Sequence, residues 1–258
     1  MDFSNKVVLV TGGSSGIGAA IAIKFAAHGA QVAIVGRNKV KLQNVSEECS
    51  RNGSKPLVIV ADVSNDVDVK RIVTETIAHF GTLHVLINNA GIGGSASILS
   101  SDTVQMFDRV MATNVRSVVH LTHLAAPHLI ETKGNIINIS SIASLKTVSK
   151  EGFAYSASKA CLDHFSRCIA LELASKGVRV NTVNPGPVKS DIIANMGVPE
   201  VAQKFIWEKM QKVTALDRIS EPEEVADLVL FLASDKARSI TGSTYVTDNG
   251  ACLNGIME

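Results

Sequence analysis

The sequence predicts an α/β protein built as a doubly wound parallel sheet with helices on both faces, on three observations. Short, nearly continuous apolar runs alternate with longer segments of helical periodicity, the pattern of parallel strands buried on both sides and joined by crossover helices. The first run, from Lys6 to Val10, breaks into Thr11-Gly12-Gly13-Ser14-Ser15-Gly16-Ile17-Gly18 and then into a helical pattern, which reads as strand, tight turn and helix start. At 258 residues, with 46% apolar content and no linker-like segment, the chain is long enough for one large core, so a single domain over 1–258 is expected.

The glycine turn has the chemistry of anion binding. The first N–H groups of a helix point outward at the positive end of its dipole, so a phosphate fits there. Gly12 permits the turn, Gly16 lets a pyrophosphate approach the backbone, and Gly18 lets the helix pack closely on the strand. Gly12, Ser14, Ser15, Gly16, Ile17 and Gly18 are therefore expected to bind a dinucleotide cofactor. The spacing is G-x-x-x-G-x-G rather than the usual fingerprint G-x-G-x-x-G. The same letters also read G-x-S-x-G, with Ser14 as a serine-hydrolase nucleophile. Such an elbow follows several earlier strands and needs a late histidine, whereas this one ends the first strand and no histidine follows His164.

Ala19 to His28 continues as a helix with Gly29 at its C′ position, and Gln31 to Val35 is the second strand. About 20 residues beyond the glycine turn, an NAD-binding chain places an acid for the ribose 2′-hydroxyl. Gly36-Arg37-Asn38-Lys39 stands there instead, offering room and a guanidinium suited to the extra phosphate of NADP. NADP(H) is thus favoured over NAD(H), with Arg37 and Asn38 in the binding set; the bland alternative is a solvated loop arginine. Lys39 to Ser50 is helical, Leu57 to Val60 is the third strand, and Asp62-Val63 follows it. Asp62 either accepts from the adenine amine or makes an Asx turn before the next helix. Val67 to Phe80 is helical, and Leu83 to Ile87 is a fourth strand running into Asn88-Asn89-Ala90-Gly91. An open parallel sheet binds ligands where consecutive strands depart to opposite sides, so the Asn89 turn should face the Gly12 turn, with Ala90 and Gly91 admitting a ribose.

Thr103 to Leu129 is expected as one long helix interrupted near Pro127. Asn114 is locally disfavoured there and on its own reads as a bend or packing residue. His120, His123 and His128 have no acidic or thiolate partner at ligand spacing, so no metal site is expected. Gly134 to Ile139 is the fifth strand, with Ser140-Ser141 at its C-terminal edge. Tyr155 then opens a helix to about Ser175, and a separation of four puts the Tyr155 phenol and the Lys159 ammonium on one face. A free tyrosine has a pKa of about 10, too high for proton exchange near neutrality, and a neighbouring cation lowers it. With Ser141 placed to hold a carbonyl oxygen, the set comprises a proton donor, its tuner and an oxyanion stabiliser. A helical Tyr-x-x-x-Lys alone arises often by chance; its weight comes from its company.

Thr11-Gly12-x-x-x-Gly16-x-Gly18, Asn88-Asn89-Ala90-Gly91, Asn114, Ser141, Tyr155-x-x-x-Lys159 and Asn184-Pro185-Gly186 together resemble the short-chain dehydrogenase/reductase family, in its single-domain, 3-oxoacyl-reductase-like branch, over nearly the whole chain. The resemblance accounts for the glycine spacing, which is that family's variant of the Rossmann turn. It implies that Tyr155 is the catalytic acid or base, that Ser141 orients the substrate oxygen, and that Lys159 lowers the tyrosine pKa while binding nicotinamide ribose. It also implies that Asn114 anchors a water leading protons from the lysine. Ser141 stands one residue further from Tyr155 than is common in the family, and Ser140 is the fallback. Pro185, Gly186, Val188 and Ser190 resemble the family's turn over the nicotinamide, Ser190 replacing a more frequent threonine. Residues from about 191 to 216 correspond to its substrate lid, in which Ile192, Ile193, Met196, Phe205, Trp207 and Met210 either line an apolar pocket or, for the last three, pack on the body. Ser220-Glu221-Pro222-Glu223 reads as a capping box opening a helix through Ala233. Ser243 to Val246 is the last strand, followed by Asp248-Asn249-Gly250 where relatives have Asp-Gly-Gly. Family members usually form homotetramers, so a homo-oligomer, tetramer or dimer, is expected.

The formal net charge of +1 suggests no nucleic-acid or membrane-surface partner, and the partner is expected to be a small molecule. Cys49, Cys161, Cys168 and Cys252 form no C-x-x-C pair and read as buried reduced thiols. With no secretory signal or membrane-length apolar run, a cytoplasmic location is expected. The whole predicts a Rossmann-type, seven-stranded parallel sheet of order 3-2-1-4-5-6-7. The expected activity is NADP(H)-dependent interconversion of a ketone or aldehyde and an alcohol on a hydrophobic substrate. The alternative of another class is a nucleotide-binding regulatory or scaffold protein without turnover.

Overall fold

The computed structural model describes residues 1–195 and 197–253. Its strands are β1 (Val7–Thr11), β2 (Gln31–Gly36), β3 (Leu57–Val60), β4 (Val85–Asn88), β5 (Asn135–Ile139), β6 (Arg179–Pro185) and β7 (Thr244–Thr247). They form one seven-stranded sheet of order β3-β2-β1-β4-β5-β6-β7 among the described residues, with every pairing parallel. The helices are α1 (Gly16–Ala27), α2 (Lys39–Asn52), α3 (Asp66–Phe80), α4 (Thr103–Met111), α5 (Ser117–Thr132), α6 (Phe153–Ala174), α7 (Ile192–Asn195), α8 (Glu200–Lys212) and α9 (Pro222–Ala233).

Strand alternation divides the core into two layers. Val8 and Val10 of β1, with Ile34, Ile87 and Ile137, face α1, α2 and α9 through Ile21, Phe25, Leu42 and Val229. Val7 and Leu9, with Val35, Leu86 and Ile136, face α3, α5 and α6 through Ile72, Leu121, Leu129 and Leu173. Apolar side chains leave both faces of each central strand, which is why these strands read as continuous apolar runs. The crossovers from β1 to β2 and from β3 to β4 leave toward opposite edges, opening the groove between β1 and β4 at their C-terminal ends.

Four local expectations are corrected. The long helix breaks not at Pro127 but at a π turn, Ala112–Arg116, between α4 and α5; α5 runs through Pro127 to Thr132. Pro127 is exposed on this helix, where its missing N–H leaves one carbonyl without an intrahelical partner. The capping box stands one residue later, with Glu221 as N-cap and Glu224 completing it: the Glu221 N–H donates to Glu224 Oε2 at 2.8 Å. Asn38 is the N-cap of α2, its Oδ1 accepting from Lys41 N at 3.0 Å. Of the cysteines, Cys49 is buried, whereas Cys161 and Cys168 are exposed on α6; all four are free thiols. No helix among the described residues is long and apolar enough to cross a membrane.

Candidate active site

The groove is built on the glycine turn. Gly12 has φ +66°, a left-handed conformation that disfavours any side chain. A Cβ on Gly18 would lie 2.2 Å from Gly12 O and 2.4 Å from Asn89 Nδ2, so the first turn of α1 reaches the strand end only without one. Asn89 pins its own turn to this one, donating from Nδ2 to Thr11 O at 2.9 Å and Gly12 O at 3.2 Å. The Thr11 hydroxyl accepts from Asn89 N and Ala90 N, each at 3.1 Å. The two turns therefore face each other across the switch point, and both line one groove with Ser14, Ser15, Ile17 and Gly91.

At one end of the groove Gly36, Arg37, Asp62 and Val63 form the wall. Arg37 is exposed, with Nη1 3.7 Å from Asp62 Oδ2. Asp62 makes the Asx turn, Oδ1 accepting from Ser64 N at 2.9 Å and Ser64 Oγ at 2.7 Å, and also lines the groove. A Cβ on Gly36 would stand 3.2 Å from Ser14 Oγ, which puts that hydroxyl beside the end of β2. Asn38 is not among the groove's lining residues; its side chain is engaged as a helix cap.

At the other end, α6 delivers Tyr155 and Lys159. The Ser141 hydroxyl hydrogen-bonds the Tyr155 phenol, whereas Ser140 is buried and turned to Lys159 O at 3.3 Å, so the hydroxyl meeting the phenol is that of Ser141. Lys159 is buried, donates to Ile139 O at 2.8 Å, and has Nζ 5.7 Å from the Tyr155 ring centroid. Burial pushes its pKa from 10.5 down to about 8, the Asp163 charge opposing that fall. The phenol's pKa is raised by burial, with the Ser141 hydrogen bond pulling the other way. The expected lowering of the phenol's pKa before reaction is not seen: burial is the leading cause, and the ammonium, turned to the Ile139 carbonyl at the end of β5, does not act on the neutral phenol in this arrangement.

Asn114 sits in the π turn, buried, where its Nδ2 donates to Ile92 O and Ser158 Oγ, each at 3.0 Å, and its Oδ1 accepts from Ile92 N at 2.8 Å. It ties the loop after β4 to the turn of α6 between Tyr155 and Lys159. A Cβ on Gly91 would lie 3.4 Å from Asn114 Oδ1 and 3.6 Å from Lys159 Nζ, so both side chains border the same stretch of backbone. Val188 is buried and Pro185 ends β6; Gly186 packs against Asp248, a Cβ there meeting Asp248 Cα at 2.7 Å. None of these three lines the groove, but Ser190 does, its Cβ 3.0 Å from a Cβ position at Gly16.

Sequence reasoning passed over Arg109 and Thr113, which line the groove from α4 and the π turn; their spacing of four, ending beside Asn114, was the available signal. It also passed over Asp191, whose Oδ2 pairs with Lys41 Nζ at 2.5 Å. In the segment expected as a lid, Ile192 lines the groove and Ile193 is buried, but α8 buries none of its residues and Phe205 is exposed. Met196 lies outside the described residues. His120 gains an acidic neighbour from α3, Nδ1 lying 3.2 Å from Asp66 Oδ1, which sequence spacing did not reveal.

Fold and groove define a class, the dinucleotide-binding α/β oxidoreductases, and the comparisons narrow it. A family model described as enoyl-(acyl carrier protein) reductase matches residues 12–252. The L-xylulose reductase of Caenorhabditis elegans is 39% identical over 255 residues, covering 98% of this chain and 98% of that protein. A cyclohexanol dehydrogenase of an Acinetobacter species is 35% identical, covering 95% and 94%. A short-chain dehydrogenase/reductase of unknown function from Caenorhabditis elegans, solved with cofactor, superposes with a TM-score of 0.92 at 33% identity, covering 97% and 96%. The chain belongs to the short-chain dehydrogenase/reductase family: it is an oxidoreductase of alcohols and ketones that uses a nicotinamide cofactor.

Proposed function

We propose that the protein is a single-domain, NADP(H)-dependent enzyme interconverting a ketone or aldehyde and the corresponding alcohol on a hydrophobic substrate. The observation that carries this reading is the Tyr155 phenol, hydrogen-bonded to Ser141 and one helical turn from Lys159, at one end of the groove the glycine turn lines. The residues present fit the cofactor: the left-handed Gly12 and the Cβ-free approach of Gly18 leave the backbone N–H groups of the α1 start open to a pyrophosphate. Ser14 and Arg37 flank the end of β2, where a 2′-phosphate takes a hydroxyl and a guanidinium. Bound nicotinamide supplies or takes up the hydride.

The chain's own residues handle the oxygen and its proton. A substrate oxygen entering between the Ser141 and Tyr155 hydroxyls takes a hydrogen bond from each. In the reducing direction Tyr155 releases its proton to that oxygen, and the Lys159 ammonium stabilises the phenolate left behind. Asn114, which borders Gly91 together with Lys159, is the residue we assign to the water through which the site is reprotonated. The exposed Phe205 of α8 and Ile192 at the groove support an apolar substrate, and the exposed Leu171 of α6 and Val119 of α5 support self-association. The test is the absorbance of NADPH with a mixed panel of hydrophobic ketones. Depletion is expected; tight NADPH binding with no turnover on any of them contradicts the reading in favour of a scaffold.

A further inference from the structure

Asp163 is a buried carboxylate that the mechanism above does not use. It lies one turn beyond Lys159 on α6, so the two share a helix face, and each is 4% exposed. Its Oδ2 accepts from Asn184 Nδ2 at 2.8 Å, while its Oδ1 is buried with no hydrogen-bond partner among the described residues. A carboxylate so placed carries a desolvation cost unless a nearby cation offsets it. The same Asn184 Nδ2 reaches Ser144 Oγ at 2.8 Å and Ser141 O at 3.1 Å. One carboxylate is thus linked to both halves of the site: to the ammonium through space along α6, and to the serine through the amide it orients.

We propose that Asp163 is a positioning residue for the reaction, the buried counter-charge that keeps Lys159 an ammonium and, through Asn184, the anchor of the main chain that carries Ser141. This rests on the roles given above to Tyr155, Lys159 and Ser141. Facing Lys159 are Tyr155 and Asp163 from α6, the Ile139 carbonyl from β5, and Gly91 and the Asn114 amide from the loop after β4 and the π turn; of these Asp163 alone bears a carboxylate. Its charge opposes the effect of burial on Lys159. Removing it makes the lysine lose its proton at lower pH, and with the proton goes the support for the phenolate.

The test is the pH dependence of kcat for the wild type, Asp163→Asn and Asp163→Glu, with Tyr155→Phe as control. For Asp163→Asn the alkaline limb governed by Lys159 should move down by about one pH unit, and Asp163→Glu should return it to the wild-type position. An Asp163→Asn limb coincident with the wild type, whatever the rate, overturns the inference while Tyr155→Phe stays inactive. Activity in Tyr155→Phe instead marks failure of the underlying reading. Should Asp163→Asn not fold, Asp163→Glu decides: with the charge retained, a limb displaced downward overturns the proposal and an undisplaced one supports it.

Discussion

At the scale of single residues, Arg37 shows how two neighbours divide one role. Its guanidinium faces Asp62 at 3.7 Å, too long for a tight ion pair and largely exposed, so it is free to turn to a phosphate. Arg37→Ala should weaken NADPH binding by about tenfold and leave NADH binding within about twofold; equal losses for both, measured by fluorescence titration, contradict its role in reading the 2′-phosphate. Residues whose chemistry is stated by type and spacing were legible in the sequence: Tyr155 and Lys159 by their separation of four together with the glycine turn and Ser141, Asn89 by its place after a strand. Asp163 was not, because an aspartate in a helix ordinarily faces water, and only its position four beyond Lys159 hinted otherwise. The helix-cap role of Asn38 was not legible either, since the residue after a strand end can serve a ligand or cap the next helix, and only the backbone shows the cap.

At the scale of elements, the sheet was legible because β1 to β4 are nearly continuous apolar runs bounded by turn residues, and strand bounds moved by no more than a residue or two even in the more polar β5, β6 and β7. The π turn was legible only as the disfavoured Asn114, which reads as a bend or packing residue, and not as a break of the helix over Ala112–Arg116. It is sustained by tertiary bonds: Asn114 to Ile92 and Ser158 on one side, and Arg116 paired through both nitrogens with Asp66 of α3 at 2.5 and 2.7 Å on the other. The glycine turn makes the sharpest prediction at this scale. In Gly18→Ala the new methyl meets Gly12 O, a backbone atom that cannot turn aside, so α1 must back away from the strand end. The variant should lose about 1–3 kcal/mol of stability in urea unfolding and most of its NADPH affinity. Wild-type affinity would show that the turn tolerates displacement.

At the scale of the whole molecule, the sheet buries an ionisable lysine at the mouth of its switch point, and global stability should report it. The folded pKa of Lys159 is lowered to about 8 from 10.5. Between those values the unfolded chain binds more protons than the folded one, so this group's contribution to stability rises with pH across that window, and its burial cost is present in full below it. Lys159→Met removes the cost. The variant's stability advantage in urea should therefore be greatest at neutral pH and shrink as pH climbs from about 8 toward 10; an advantage independent of pH contradicts a charged, buried lysine. The two apolar layers and the groove between β1 and β4 bring that lysine and the phenol to one end of the cleft that the glycine turn lines. The most direct test of that arrangement is turnover and NADPH affinity in Tyr155→Phe, which removes one oxygen and leaves the ring in place. The account predicts that carbonyl reduction falls by at least about a hundredfold with NADPH binding unchanged; a variant that still reduces its substrate at the wild-type rate would contradict it.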